Sequence, residues 1–211
     1  GDFNTAVGYQ ALTAQTGTSG TVANTVLGYG AAKTLTTGIK NVAIGANALD
    51  AAALTETGNV AIGYAAMGDA VEHSGGSSSV DGNIAIGRGS LTGGALASGE
   101  NFDHNIAIGH NAMNSTGGEE QTGTIAIGYQ ALTALSSGAG NVAVGFQALD
   151  VANSDDYNTA IGYEALSALT GTNNTYCTAV GYRAGLAITT GIKNTLLGAN
   201  ALGTANTAAL N

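Results

Sequence analysis

The sequence predicts an all-β fold in which about eleven coils, each of 17 or more residues, stack on one another as a β-solenoid. The first observation is a five-residue phrase, Asn41-Val-Ala-Ile-Gly45, which recurs in near copies along the whole chain. The glycines that end the copies are 17 to 24 residues apart, a period typical of stacked repeats. The chain also has no proline, so nothing interrupts a long ladder of backbone hydrogen bonds. These phrase glycines are Gly8, Gly28, Gly45, Gly63, Gly87, Gly109, Gly128, Gly145, Gly162, Gly181 and Gly198.

The residues before each phrase glycine predict a short strand. Counted from the glycine, position −1 is always Val, Ile or Leu, and position −3 is Thr, Val or Ile. Position −2 is Ala in nine of the eleven copies, the exceptions being Val26 and Leu196. Alternation of large, β-branched residues with a small one favours a strand over a helix. One face of this strand therefore carries large aliphatic side chains, and the other carries methyl groups.

Two further positions of the phrase predict a defined backbone. Asn opens the phrase in nine copies, with Thr124 and Cys177 as substitutes. Asn suits turns, and in stacked coils its amide pairs with the equivalent Asn above and below. The phrase glycines, such as Gly63, Gly145 and Gly162, are expected to adopt a positive φ or a tight bend.

A second apolar segment follows the bend. Position +1 is aromatic in seven copies, and position +4 is Leu or Met in nine. This segment is expected to fold back over the first strand, and a variable loop then leads to the next coil. One coil does not bury its own apolar face, whereas a stack of coils does. The whole of 1–211 is therefore predicted to form a single repeat domain, with insertion loops at 68–82, 92–104 and 114–123.

Composition and charge exclude several classes of function. The formal net charge is −9, and five Lys and Arg residues are too few to follow a phosphate backbone, so neither nucleic acid nor anionic lipid is an expected partner. The single cysteine, Cys177, rules out an intrachain disulfide, and we interpret it as a small-residue substitute for Asn. No apolar run is long enough to predict insertion into a membrane. Because the chain begins within a repeat, we expect it to be a piece of a longer polypeptide.

The phrase of 41–45 and the longer Asn-Thr-Ala-Ile-Gly-Tyr-Glu-Ala-Leu of 158–166 resemble the head repeats of the YadA-like trimeric autotransporter adhesins. Similar repeats occur in the tail fibres of bacteriophages. The resemblance covers essentially the whole chain, and it implies a left-handed parallel β-roll in a side-by-side homotrimer. It also implies that Val42 and Ile44 point into the roll and that Ala43 points outward. A cell-surface, extracellular or virion location is expected with it.

The candidate binding site lies in the three insertion loops, where half of the 14 acidic residues fall. A patch that faces a ligand or a cation is one interpretation, because loops on one side of a stack carry variation and binding. Three solvated loops without a ligand are the other. No calcium-loop motif occurs, and His104 and His110 lack zinc-like spacing to other ligands, so no metal is predicted. The patch comprises Asp69, Glu72, His73, Asp81, Glu100, Asp103, His104, Glu119 and Glu120.

Neither catalysis nor a cofactor is predicted. The sequence offers no convergent set of catalytic side chains, and its Gly-x-Gly segments lack the residues of a phosphate-binding loop. The aromatic residues at position +1 have two interpretations, a platform for sugars or packing between coils. His110 occupies this position, which favours packing for its ring as well.

Three functions remain in competition. The first is an adhesive fibre or head segment that attaches multivalently to a host or surface through an unidentified cell-surface receptor or glycan. The second is a structural spacer or filament subunit without a binding role of its own. The third is an ice- or mineral-binding solenoid, which would require Thr at fixed spacing. Thr occupies position −3 in only five of eleven copies, so this third function ranks last.

Overall fold

The computed structural model describes residues 3–16, 20–51, 55–70, 78–114 and 119–203. Among these residues there is no helix, and fifteen short strands form the regular structure, which confirms the all-β prediction. The strands are β1 (Thr5–Val7), β2 (Thr25–Leu27), β3 (Val42–Ile44), β4 (Val60–Ile62), β5 (Ile84–Ile86), β6 (Phe102–Asp103), β7 (Ile106–Ile108), β8 (Gln121–Thr122), β9 (Ile125–Ile127), β10 (Val142–Val144), β11 (Ser154–Asp156), β12 (Thr159–Ile161), β13 (Thr172–Asn174), β14 (Thr178–Val180) and β15 (Thr195–Leu197).

The eleven phrase strands form one parallel sheet in the order β1-β2-β3-β4-β5-β7-β9-β10-β12-β14-β15. Equivalent residues of successive coils pair without a slip, as Ala43 does with Val26 and with Ala61. The strands thus stack as a β-solenoid of about nine turns. The count of eleven coils stays a prediction, because parts of four of the ten passages between phrase strands lie outside the described residues.

The side chains of each phrase strand point opposite to the expectation drawn from the family resemblance. Ala43 is fully buried, whereas Val42 and Ile44 are half-buried on the outer face of the sheet. The same pattern recurs in β4, β7 and β10. The prediction that large aliphatic residues fill the roll was therefore wrong, although the predicted alternation of large and small residues is confirmed.

The second wall of the coil explains this reversal. The Leu or Met at position +4, such as Leu49 and Met67, is fully buried and fills the interior. An Ala on the facing strand leaves room for it. In the coil of Val26 the larger strand residue has a smaller partner, Ala32, at position +4. Leu196 has Leu202 at position +4 of its own coil, and its side chain approaches Gly185 of the preceding coil. Because the core is thin and close-packed, a larger side chain on one wall requires a smaller one on the facing wall.

The phrase glycines form a column in which, except at the last one, Gly198, no side chain fits. Gly145 has a φ of +144°, and a Cβ atom built there would lie 2.2 Å from the carbonyl oxygen of Gly162 in the next coil. Gly45 and Gly63 show the same approach, at 2.5 Å and 2.4 Å from the following coil. The predicted positive φ is confirmed, and close contact between backbones adds a second requirement for glycine.

The phrase-opening Asn residues join each coil to the next from inside. The Oδ1 atom of Asn41 accepts a hydrogen bond from the backbone N–H of Asn59 at 2.9 Å. Its Nδ2 group donates to the carbonyl oxygen of Glu56 at 2.7 Å. Both partners belong to the following coil, and the arrangement recurs at Asn59, Asn83 and Asn105. Contact between equivalent Asn positions was predicted, but the recurring hydrogen bond joins the Asn side chain to the backbone N–H of the equivalent residue in the next coil.

Candidate functional site

The outer face of the eleven-stranded sheet is uncharged, and its column at position −1 is aliphatic throughout. Its columns are positions −3 and −1, and none of the phrase-strand residues carries a charge. Ile127 is 36% exposed, Ile161 is 40% exposed and Leu27 is 48% exposed. Isolated surface aliphatic residues are ordinary, but a continuous column along a repeat array is the kind of patch that marks an interaction surface.

A ladder of flat side chains runs beside this sheet face, at position +1. Rings of successive coils stack in parallel, with centroids 5.1 Å apart for Tyr129 and Phe146 and 4.8 Å apart for Phe146 and Tyr163. Tyr163 and Tyr182 continue the stack at 5.4 Å. This spacing follows the distance between parallel strands. The position +1 residues therefore stack on one another along the solenoid.

His110 and Arg88 extend the ladder toward the N-terminus. His110 lies edge-on to Tyr129, with 5.4 Å between ring centroids, and its Nε2 atom is 3.0 Å from a guanidinium nitrogen of Arg88. Arg88 in turn lies over the ring of Tyr64 at 5.9 Å. A packing role for His110, favoured by its position in the repeat, is consistent with these contacts. Because neighbouring coils cover most ring faces, the ladder presents mainly ring edges to a sugar, which favours the packing interpretation of this column.

The acidic residues of the insertion loops divide into two groups. Asp81 and Asp103 occupy the same place in successive coils, and each accepts a backbone N–H from the preceding coil. Thr57 N–H donates to Asp81 Oδ1 at 2.7 Å, and Asp81 N–H donates to Asp103 Oδ1 at 2.8 Å. The Ser79 hydroxyl also donates to Asp103 at 2.6 Å. These two carboxylates thus hold coils together, a role that the sequence did not indicate.

The remaining members of the predicted patch are more dispersed. Asp69, Glu119 and Glu120 are exposed, and Glu100 is half-buried. His104 is exposed and its ring packs on Gly82, 3.2 Å from where a Cβ atom would lie. Glu72 and His73 lie outside the described residues. Within the described ranges no three His, Cys, Asp or Glu side chains are grouped so as to hold a metal ion.

The insertion loops also supply core residues, which corrects the picture of purely solvated insertions. Val80 and Phe102 are buried, and so is Leu96 within the second insertion. Phe102 belongs to β6, which pairs in parallel with β8. Each described insertion therefore returns to the wall of the solenoid before its phrase strand begins.

A polar cleft of about 380 Å³ lies next to the third insertion. Glu120, Asp156 and Tyr157 line it together with two serines. Asp156 Oδ1 accepts the N–H of Ala139 at 2.8 Å, and Tyr157 stacks on Tyr176 at 5.5 Å. The sequence interpretation missed Asp156 and Tyr157, although a second acidic run at 155–156 was a visible signal. The two serines are Ser137 and Ser154.

Two buried residues, Asp155 and Cys177, differ in how fully they are hydrogen-bonded. Asp155 is fully buried in the interior, and neither carboxylate oxygen has a hydrogen-bond partner among the described residues. Burial first, and then the charge of Asp156, raises the pKa of Asp155 to about 6. Cys177 is also fully buried, and its backbone N–H donates to Asn158 Oδ1 at 2.8 Å, as an Asn at this place would. Its thiol approaches the carbonyl oxygen of Gly191 at 3.2 Å.

No protein-family model, curated protein or solved structure matches this chain. Among the residues that the structure describes, none forms a helix of the length and apolar character that a bilayer crossing requires.

Proposed function

We propose that this chain is a segment of an adhesive fibre, displayed outside a cell or on a virion, in which three copies pack side by side. The observation that carries the proposal is the uncharged outer face of the phrase sheet, which runs along the whole stack. In a single copy the aliphatic column at position −1 and the Thr, Val and Ile side chains at position −3 meet water. Association of copies would remove them from water at about 25 cal/mol for each Å² buried.

The charge distribution supports association through this face. Three copies would carry a charge of −27 (3 × −9). Like charges repel, but the phrase strands contribute none of them, so the charged side chains lie outside the strands that would meet. The left-handed roll and its eleven coils belong to the same proposal. The resemblance to trimeric adhesin heads and phage fibres supports the choice of a trimer over other symmetric assemblies.

Multivalency makes such an assembly suited to attachment. Three identical copies present each exposed loop three times, and linked weak contacts gain effective concentration without any new interaction. The exposed acidic residues of the insertions, Asp69, Glu119 and Glu120, are the side chains available for such contacts. No catalytic role and no cofactor are part of this proposal.

The first experiment tests the assembly. A variant with Ile86→Ser, Ile127→Ser and Ile161→Ser removes three aliphatic side chains from the outer sheet face. We expect sedimentation equilibrium to show a trimer for the unmodified chain and a monomer for the variant. Val151 and Ile192 are similarly exposed but lie outside the phrase strands, so Val151→Ser with Ile192→Ser is the matched control. A monomeric unmodified chain at all concentrations would refute the trimer.

The second experiment separates adhesion from a purely structural role. Deleting whole insertions is unsuitable, because Val80 and Phe102 are core residues and Asp81 bonds to the preceding coil. The variant Asp69→Asn, Glu119→Gln, Glu120→Gln instead changes only exposed side chains. Attachment of the trimer to candidate cells or glycan surfaces should fall. Unchanged attachment, or none by the unmodified trimer, would favour the spacer function.

A further inference from the structure

The flat-side-chain ladder has one gap, at Ala46. Phrase strands β2, β3 and β4 pair in strict register, with Leu27 opposite Ile44 and Ile44 opposite Ile62. The residues two places further on therefore occupy three successive levels of the ladder. These residues are Tyr29, Ala46 and Tyr64, so a methyl group stands where the adjacent levels carry rings.

Both rings that border the gap have one face toward it. Tyr9 stacks on one face of Tyr29, with centroids 5.5 Å apart and ring planes inclined by 16°. Arg88, from the coil on the far side, covers one face of Tyr64. The opposite faces of Tyr29 and Tyr64 look toward the level of Ala46. These two rings are 57% and 55% exposed, whereas Phe146, which has a ring on both sides, is only 37% exposed.

The height of the gap matches one flat ring. Successive rings of the continuous part of the ladder lie 4.8 to 5.4 Å apart. Two levels therefore separate the planes of Tyr29 and Tyr64 by about 10 Å, since parallel strands repeat every ~4.8 Å. A planar ring inserted midway would lie about 5 Å from each tyrosine, within the range of favourable aromatic stacking. Phe146 shows the filled arrangement, between Tyr129 and Tyr163.

We propose that Tyr29, Ala46 and Tyr64 form a binding slot for one planar aromatic ring of a small molecule, with cationic rings preferred over anionic ones. The preference follows from the two tyrosine faces, whose quadrupoles present negative potential to the slot. The ladder itself places a planar cation, the guanidinium of Arg88, against Tyr64. The net charge of −9 acts in the same direction.

Polar side chains lie beside Gly30, which follows Tyr29 of the slot. Asn47 follows Ala46, and its Oδ1 atom lies 2.7 Å from where a Cβ atom of Gly30 would be. Lys33 is also close to Gly30, but its Nζ atom forms a salt bridge with Asp50 at 2.9 Å. An amide acceptor and a lysine paired with an aspartate therefore lie near Gly30. This inference is independent of the proposed adhesive function.

N-methylpyridinium is the probe, titrated into the unmodified chain and followed by NMR. Ring currents of two flanking tyrosines should shift its aromatic protons upfield, and the chain should bind one equivalent. The saturated cation N,N-dimethylpiperidinium tests the need for a flat ring, and benzoate tests the sign of the charge. Both control probes should bind at least about tenfold more weakly than N-methylpyridinium. Equal binding of the saturated cation would overturn the slot.

Two substitutions at the same repeat position sharpen the test. Ala46→Tyr fills the slot with a ring of the chain itself and should abolish the upfield shift. Ala199→Tyr adds a ring at the C-terminal end of the ladder and leaves the slot open, so binding should persist. Undiminished binding by the Ala46→Tyr variant would refute the proposal.

A third substitution should create a second slot. Phe146→Ala opens an equivalent gap between Tyr129 and Tyr163, so the stoichiometry should rise from one to two equivalents. Retention of the far-UV circular dichroism spectrum verifies the fold. A stoichiometry of one in a folded Phe146→Ala variant would contradict the geometric rule. A sample that mixes isotope-labelled and unlabelled chains would reveal contacts between the Tyr29 ring and a second copy. Such contacts would assign the slot to self-association and overturn the proposal of small-molecule binding.

Discussion

Residues 41–49 contain two surfaces of different character within a single coil. Asn41, Ala43, Gly45 and Leu49 represent the inner columns, which are packed or hydrogen-bonded against the neighbouring coils. Positions such as 42, 44 and 46 represent the outer columns, whose side chains meet solvent. Each inner position accepts side chains of one size, unless the facing wall changes in the opposite direction, as with Val26 and Ala32. Outer positions accept Thr, Val, Ile, Tyr, Arg or Ala, because no neighbouring wall limits them. Stability is therefore concentrated in the inner columns, whereas the proposed contact between copies and the proposed ring slot lie in the outer ones.

The largest effect should come from the glycine column. Gly145→Ala would place a methyl group 2.2 Å from a backbone oxygen of the next coil, at a φ of +144°. We expect a loss of more than about 3 kcal/mol of unfolding free energy, measured by chemical denaturation. Gly123 is the matched control, since its φ is +67° and no atom lies within 4 Å of a Cβ built there. Gly123→Ala should cost only about 1 kcal/mol. Similar losses in the two variants would show that coil contact is not the cause.

Removing one inner asparagine should have the next largest effect. Asn41→Ala leaves the N–H of Asn59 and the carbonyl of Glu56 without their Asn41 hydrogen bonds, which should cost about 2–4 kcal/mol. The reverse change is available at Thr124, whose hydroxyl has no hydrogen bond among the described residues. Thr124→Asn should stabilise by about 1 kcal/mol in the same denaturation measurement. Destabilisation by Thr124→Asn would show that the Asn column is not interchangeable between coils.

The exchange of volume between the two walls predicts a coupled pair. Ala43→Val overpacks the interior and should cost about 1–3 kcal/mol. In a Leu49→Ala background the same change should cost less than about 0.5 kcal/mol, because the pair then reproduces the Val26 and Ala32 combination. A double-mutant cycle of unfolding free energies measures the coupling. Additive effects would mean that the two walls do not share this space.

The sequence predicted the strand, the glycine column and the stack, because each follows from a local rule repeated eleven times. It did not predict which face of the strand is inside. Alternation defines two faces but not their direction, and the direction depended on Leu49 and its equivalents filling the core. The wrong orientation came from the family resemblance, whereas the residues themselves left both orientations open.

The candidate site was less predictable than the fold. Asp81 and Asp103 share a sequence character with Glu119 and Glu120, yet only the former pair accepts backbone N–H groups from a preceding coil. That difference depends on register between coils, which composition does not contain. The gap at Ala46 was visible as an exception at position +1, but its meaning required knowledge that adjacent rings stack face to face.

The smallest predicted effect concerns Asp155, a carboxylate in the interior, where the other side chains are packed or hydrogen-bonded. Asp155 occupies the interior without a hydrogen-bond partner for its carboxylate among the described residues, and its pKa is raised to about 6, mainly by burial. The folded chain therefore binds more protons than the unfolded chain between about pH 4 and pH 6. Stability should consequently fall as the pH rises through this window.

Asp155→Asn removes the buried charge and should stabilise the protein at pH 7 by about 1–2 kcal/mol. The gain should largely disappear near pH 4, where the carboxyl group is protonated in the folded chain and about half protonated in the unfolded chain. Asp69→Asn, at an exposed position, controls for the change in net charge. Burial also raises the pKa values of Asp81 and Asp150, so the unmodified chain alone does not isolate Asp155. The difference in unfolding free energy between Asp155→Asn and Asp69→Asn isolates Asp155, and it should increase from pH 4 to pH 7. A difference that stays constant over this range would place the charge of Asp155 in contact with water.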